Sequence, residues 1–167
     1  MVVHFYKEYD YFFYNDLKVY FKGNICINGQ FISTAKELTS IIFSNLKGIK
    51  HFKNEFIHKI LPSIRGYFLI VMEYKNDLMI ISDIIRCYPV FYILFENKIF
   101  LTDDLNEYQN EFGLFKLNHN RLEQFLASGF TYGEYTVFQN VFGIQAGELV
   151  IVEDGMINSQ RYFEFKT

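Results

Sequence analysis

Apolar residues recur along this chain with two different periods, and the switch between them separates strand-rich from helical stretches. Residues 2–31 carry short β-rich runs at 2–6, 11–14 and 17–21, parted by the polar pairs Asn15-Asp16 and Gly23-Asn24. That spacing predicts an antiparallel meander with turns at both pairs. From Ala35 the period lengthens, and Leu38, Ile41, Ile42 and Leu46 fall on one face of a helix over 35–46. Ser33-Thr34, with Glu37 three residues beyond Thr34, predicts a capping box at its start. A second helix is predicted over about 54–61, with Phe56, Ile57 and Ile60 as its buried stripe and Pro62 marking its end.

Beyond Gly66 the apolar runs 67–74, 78–82 and 90–94 predict three strands, with Lys75-Asn76-Asp77 as a tight hairpin turn. A fourth strand, 98–102, follows the Glu96-Asn97 turn. Leu122, Phe125 and Leu126 then form the face of a helix that Asn118 or Asn120 caps, that runs through Ala127 and that Gly129 closes. The tail over 148–163 returns to β structure around a turn at Asp154-Gly155. No repeat, low-complexity tract or Gly-, Ser- or Pro-rich linker interrupts the 167 residues, so a single domain with one core is expected. Strands in runs with helices gathered between them predict the α+β class.

Composition narrows the partners. Half of the residues are hydrophobic, with 20 Phe and 13 Tyr against 2 Pro and no Trp, which excludes a disordered chain. The Phe, Tyr, Ile, Asn and Lys excess is that of AT-rich coding rather than of an aromatic-binding role. It makes a homodimer an expectation, although composition does not locate the patch. The net charge is -3, and Lys47, Lys50, Lys53 and Lys59 are scattered rather than striped, so no nucleic-acid partner is expected. The longest apolar stretches, 78–81 and 90–95, fall far short of the ~20 residues of a membrane helix, and the opening lacks a charged segment followed by an apolar run. No membrane partner and a cytoplasmic location are expected.

Few residues suggest chemistry by type. Cys26 and Cys87 are too few and too distant for a disulfide framework or zinc knuckle and are expected as buried free thiols. His4, His51, His58 and His119 show no i, i+4 pairing among themselves. Glu8, Glu55 and Glu123 follow three of them by four residues, but one such pair falls short of a ligand set, so no metal site is expected. Asp103, Asp104, Glu107 and Glu111 are expected in a solvated loop. Asp83 and Arg86 flank a turn between two apolar strands and are expected to lock it through bonds to backbone and to each other. Gly143 to Gly147 lacks the lysine and following helix of a phosphate loop and is expected as a turn.

Several small motifs, in order and spacing, carry a resemblance. Arg65-Gly66-Tyr67-Phe68 opens a strand and hairpin. Ser82-Asp83-Ile84-Ile85-Arg86-Cys87-Tyr88-Pro89-Val90-Phe91 keeps the Asp-to-Pro spacing of an Arg-Asp-x-x-Gly-x-x-Pro-Leu-Tyr pattern, with its Arg and Gly positions changed. Leu101-Thr102-Asp103-Asp104-Leu105, the helix and glycine run from Leu122 to Thr136, Ile144-Gln145-Ala146-Gly147-Glu148-Leu149 and Arg161-Tyr162-Phe163 complete the series. Residues 65–163 thereby resemble the second half of the N-terminal glutaminase domain, a class II glutamine amidotransferase, of the asparagine-synthetase-like family. The resemblance implies an N-terminal-nucleophile-hydrolase-like αββα sandwich of antiparallel sheets, truncated in its N-terminal part.

The same resemblance implies a lost activity. The family's nucleophile is a cysteine that follows the initiator methionine and uses its own α-amine as base; here Val2 stands there, and Cys26 and Cys87 lie within the chain. The family's oxyanion and glutamine-contacting loop resembles Lys22-Gly23-Asn24-Ile25-Cys26-Ile27, of which only Gly23 and Ile25 match. Its Arg-Gly-Pro-Asp clamp has no counterpart in residues 1–21. The expectation is a non-catalytic scaffold, with Lys22, Gly23, Asn24, Asp83 and Arg86 as residues of a relict pocket or turn. No cofactor is expected for this chain, and ATP and Mg only where a synthetase domain, in cis or trans, partners it. A free-standing binding or assembly module is the alternative, and a hydrolase using Ser82 or Thr102 a third.

Overall fold

The computed structural model describes residues 2–45, 52–113 and 115–164. Leu46, Lys47, Lys50 and His51 lie outside the described residues. The chain forms two compact units, Met1–Glu8 with Pro89–Gln145 and Tyr9–Tyr88 with Ala146–Thr167. Both units are discontinuous in sequence, so no linker composition marks their limits.

The second unit is a sheet with one helical cover. Its strands are β2 (Asp10–Tyr14), β3 (Leu17–Ile27), β4 (Gln30–Ile32), β5 (Ile64–Tyr74), β6 (Asp77–Ser82), β10 (Glu148–Glu153) and β11 (Met156–Arg161). They run in the order β11-β10-β6-β5-β3-β2, with β4 also on β3, and every pair is antiparallel. Gly23-Asn24 is not the turn that its composition predicts: β3 runs straight through it, paired residue for residue with β5. The reason is close approach. A Cβ on Gly23 (φ 114°) would sit 2.0 Å from the Tyr67 carbonyl oxygen, and one on Gly66 (φ 132°) 2.2 Å from that of Asn24. Glycine inside a strand marks backbone meeting backbone as readily as it marks a turn.

The helix α1 (Ala35–Asn45) begins with the predicted capping box: Thr34 Oγ1 accepts from the Glu37 N–H at 3.2 Å, and the Glu37 carboxylate accepts from the Ser33 and Thr34 N–H groups. Its Ala35, Leu38 and Ile42 are buried in one cluster with Leu17, Val19, Phe21 and Ile25 of β3. The second helix departs from prediction. It starts at Phe52 as α2 (Phe52–Glu55), widens into a π turn over Phe56–Ile60 and tightens into a 3-10 turn over Leu61–Ser63. Pro62 lies in the first turn of that last piece, where its missing N–H costs nothing, rather than beyond the helix. On the other sheet face Leu69, Val71, Leu78, Ile80, Val150 and Val152 are buried as well. Burial on both faces accounts for the unbroken apolar runs of β5, β6 and β10.

The first unit holds β1 (Val2–Val3), β7 (Phe91–Phe95), β8 (Lys98–Thr102) and β9 (Val141–Gly143), ordered β1-β8-β7-β9. Here β1 pairs in parallel with β8, Val2 opposite Phe100, so it does not belong to the meander that the sequence suggests. The stretch after it is tied down by Asp103, whose carboxylate accepts from the Tyr6 and Lys7 N–H groups. Asp103 is thus buried, and the acidic stretch is not a solvated loop. It opens α3 (Leu105–Phe112), which Asp104 caps through the Asn106 and Glu107 N–H groups. The helix has one buried residue, Tyr108, too little for a visible apolar stripe. α4 (His119–Ser128) is capped by Asn118 and closed by left-handed Gly129, and it buries none of its residues. Among the described residues no helix is long and apolar enough to cross a membrane.

Candidate functional site

The polar centre of the second unit is Asp83, which follows β6 and is fully buried. A buried carboxylate survives only if its lone pairs are filled, and here backbone fills them. Its oxygens accept from Phe68 N at 3.0 Å, Ile85 N at 2.8 Å and Cys87 N at 3.1 Å. Its own carbonyl accepts from Arg86 N and Gly147 N, and its N–H donates to the Phe68 carbonyl. One residue therefore ties the middle of β5, the turn after β6 and the approach to β10. The predicted bonding of Asp83 to backbone is present.

Arg86 takes the left-handed conformation, φ 58°, at the position where the family pattern has glycine. A non-glycine residue pays about 1–2 kcal/mol for that geometry. Burial pulls its guanidinium below the ordinary range, and the Glu148 carboxylate opposes that shift. Cys87 is at the surface, but desolvation and the Asp83 carboxylate together push its thiol up. Cys26 is a half-buried residue inside β3. Both are free thiols, and neither is buried as expected.

Lys22, Gly23 and Asn24 occupy the middle of β3. β2 pairs with Leu17 to Phe21 and β4 with Ile25 to Ile27, which leaves 22–24 with β5 as their sole strand neighbour among the described residues. The Lys22 ammonium stands 4.8 Å from the ring centre of Tyr9 and 5.8 Å from that of Tyr88. Asn24 is exposed opposite Tyr67.

A cavity of about 330 Å³ opens on the same unit. Leu61, Ile64, Phe68, Ile84 and Phe163 supply its apolar wall, with Arg65 and Tyr162 as polar members. Arg65 Nη1 donates to the Pro62 and Ile64 carbonyls, and the Tyr162 hydroxyl donates to the Ser82 carbonyl at 2.6 Å. Burial, with the Asp83 charge behind it, pushes the Tyr162 hydroxyl up, so it stays a neutral donor. None of the five predicted residues lines the cavity. Their neighbours do: Ile84 follows Asp83, and Phe68 pairs with Gly23. The wall drew no attention in the sequence because its members come from the end of a helix, a turn and the tail, each ordinary alone.

The remaining candidates are spread apart. Ser82 and Thr102 are fully buried, with their hydroxyls directed to neighbouring backbone carbonyls at 3.5 and 3.4 Å. A hydroxyl so placed does not meet a solvent-borne amide. His4 Nε2 lies 3.4 Å from Glu111 Oε2, which also accepts from the Tyr6 hydroxyl at 2.6 Å. Among the described residues no group of three or more His, Cys, Asp or Glu is arranged to hold a metal ion.

No protein-family model and no curated protein matches this sequence. Solved structures do resemble it. Glutamine phosphoribosylpyrophosphate (PRPP) amidotransferase from B. subtilis, complexed with ADP and GMP, aligns over 90% of this chain with a TM-score of 0.50 and 12% identity. A structure of the allosteric regulatory enzyme of purine biosynthesis aligns over 89%, again with a TM-score of 0.50 and 12% identity. The chain spans about 30% of the length of these proteins. At that identity the likeness is one of fold alone: the mixed α+β architecture, with its largely antiparallel sheets, matches that of these amidotransferase structures.

Proposed function

We propose that this chain is a non-catalytic glutaminase-like domain of an asparagine-synthetase-related protein, and that it supports an ATP-dependent, amide-forming synthetase domain supplied in cis or in trans. The glutamine-amidotransferase-like fold supports the glutaminase-like part of that proposal, and the motifs over 65–163 are what suggest the asparagine-synthetase relation. The state of the cysteines carries the other half. A nucleophilic thiol needs its pKa brought down by a cation, a base or a helix N-terminus. The Cys87 thiol is pushed the other way, beside a carboxylate, and Cys26 lies within a paired strand. Both are internal residues, so neither carries an α-amine of its own to serve as base.

The candidate pocket positions serve structure instead: Gly23, in the segment that resembles the glutamine-handling loop, lets β3 pair closely with β5, and the Asp83 carboxylate of the later turn is taken up by backbone N–H groups. In this account the synthetase partner binds ATP and Mg and forms a carbon–nitrogen bond with ammonia or another amine. Supplying the parent protein with ATP and either ammonium or glutamine tests it. Amide formation with ammonium and none with glutamine is expected; equal product from glutamine would refute the non-catalytic role.

A second role, a free-standing binding or assembly module, is favoured by one observation, the apolar cavity between Leu61 and Phe163. Its size is that of a small-ligand site. Saturable binding of a small apolar ligand, abolished by filling the cavity through Ile84→Trp, would support that role over the first.

A further inference from the structure

Among the described residues, a run of exposed apolar side chains lies in the first unit. α4 is amphipathic, with Leu122, Phe125 and Leu126 on one face, yet no residue of it is buried. Phe125 is 44% exposed, Leu126 74%, and the loop that follows adds Phe130 at 63% and Tyr132 at 72%. A helix of ten residues is marginal in water without a packed face. What holds this one is local: the Asn118 cap, the Gly129 closure, the Leu117–Phe138 bridge and the bond from Gln139 Nε2 to the Leu117 carbonyl.

We propose that this face is a self-association surface and that a second copy of the same chain covers it, forming an isologous dimer. Two observations favour a copy of itself. The first is area. With Leu117 and Tyr135, both more than 40% exposed, the patch offers on the order of 600–700 Å² of side-chain surface, against roughly 800 Å² per partner in a standard stable interface. The second is charge. The face is flanked by two cations, Lys116 and Arg121, the latter with its guanidinium 3.8 Å over the Tyr135 ring, and by two anions, Glu123 and Glu134. A strongly charged partner finds no complementary field there, whereas an apolar patch with balanced flanks meets its own copy without accumulating like charge. The aromatic rings, rigid and large, are the anchors that such an interface favours.

Sedimentation of the full chain over two decades of concentration, which reads no activity and so stands apart from the functional proposal, is the test. A dimer is expected. Leu126→Glu should raise its dissociation constant at least a hundredfold, because each dimer carries the substitution twice, with the far-ultraviolet circular dichroism unchanged. Phe130→Ser, outside the helix, should weaken the dimer in the same direction and guards against a loss of helix in the first variant. Met156→Glu, equally exposed but on β11, should leave the mass unchanged. A chain that is monomeric throughout, or a dimer that Met156→Glu splits and Leu126→Glu and Phe130→Ser do not, overturns the proposal.

Discussion

Two helices of this chain start from the same local ingredients, a side-chain cap and an apolar stripe, yet α1 buries Ala35, Leu38, Thr39 and Ile42 while α4 buries nothing. Periodicity announces that a helix has a face to hide. It does not say whether the cover comes from the same chain. For α1 the cover is β3, whose alternate residues Leu17, Val19 and Phe21 meet the helix from a strand held close to β5 at Gly23 and Gly66. For α4 the outward face has no such partner among the described residues, and the helix is held by its ends.

The largest expected effect breaks the sheet side of that contrast. Gly66→Ala and Gly23→Ala each force a Cβ into a backbone carbonyl and should cost about 4 kcal/mol or more, or leave no folded protein. Urea denaturation measures the loss, and an alanine variant close to wild type would show that the paired strands do not approach so closely. Next, Leu38→Ala should destabilise by about 2–5 kcal/mol, as core truncations do. Leu126→Ala, the same change on α4, should stay within about 0.5 kcal/mol at a concentration where the chain is monomeric. Similar losses at both positions would erase the difference between the two helices.

Smaller effects sharpen it. Thr34→Ala and Asn118→Ala should each cost about 1 kcal/mol, because a cap is a local device whatever the helix packs against. Acid should separate these two caps. The Ser33 N–H, with Thr34 adding to it, holds the Glu37 carboxylate below its ordinary pKa. Its contribution is therefore complete above the unfolded-state value and is lost as the pH falls through the lower folded value. The α4 cap is an amide and does not titrate. Hydrogen exchange at Ser33 and Thr34 should accelerate in that acid window while Arg121, bonded to Asn118, keeps its protection; parallel loss at both ends would contradict the assignment.

Much of the fold was legible in the sequence because most elements obey one pattern each. The strands at β5, β6, β8, β10 and β11, the α1 capping box and the Asn118 and Gly129 ends of α4 follow from apolar runs, turn residues and caps. The misreadings have particular causes. Gly23-Asn24 reads two ways because glycine serves turns and close backbone approach between paired strands alike. α3 was invisible because eight residues that bury only Tyr108 leave no stripe, although Asp104 followed by Glu107 was a cap signal in plain view. The parallel seat of β1 on β8 spans almost a hundred residues of sequence, beyond any local pattern. In the candidate site, the bonding of Asp83 was readable from a charged residue between two apolar strands, whereas the cavity was not, since its wall is gathered from three separate stretches.

The proposal to be tested most directly is that this amidotransferase-like scaffold does not hydrolyse glutamine. Incubating the purified chain with glutamine and quantifying glutamate against a Cys26→Ser, Cys87→Ser double variant measures it directly. Glutamate formation indistinguishable from the double variant and from buffer is the result predicted; turnover that disappears with either cysteine would contradict the account.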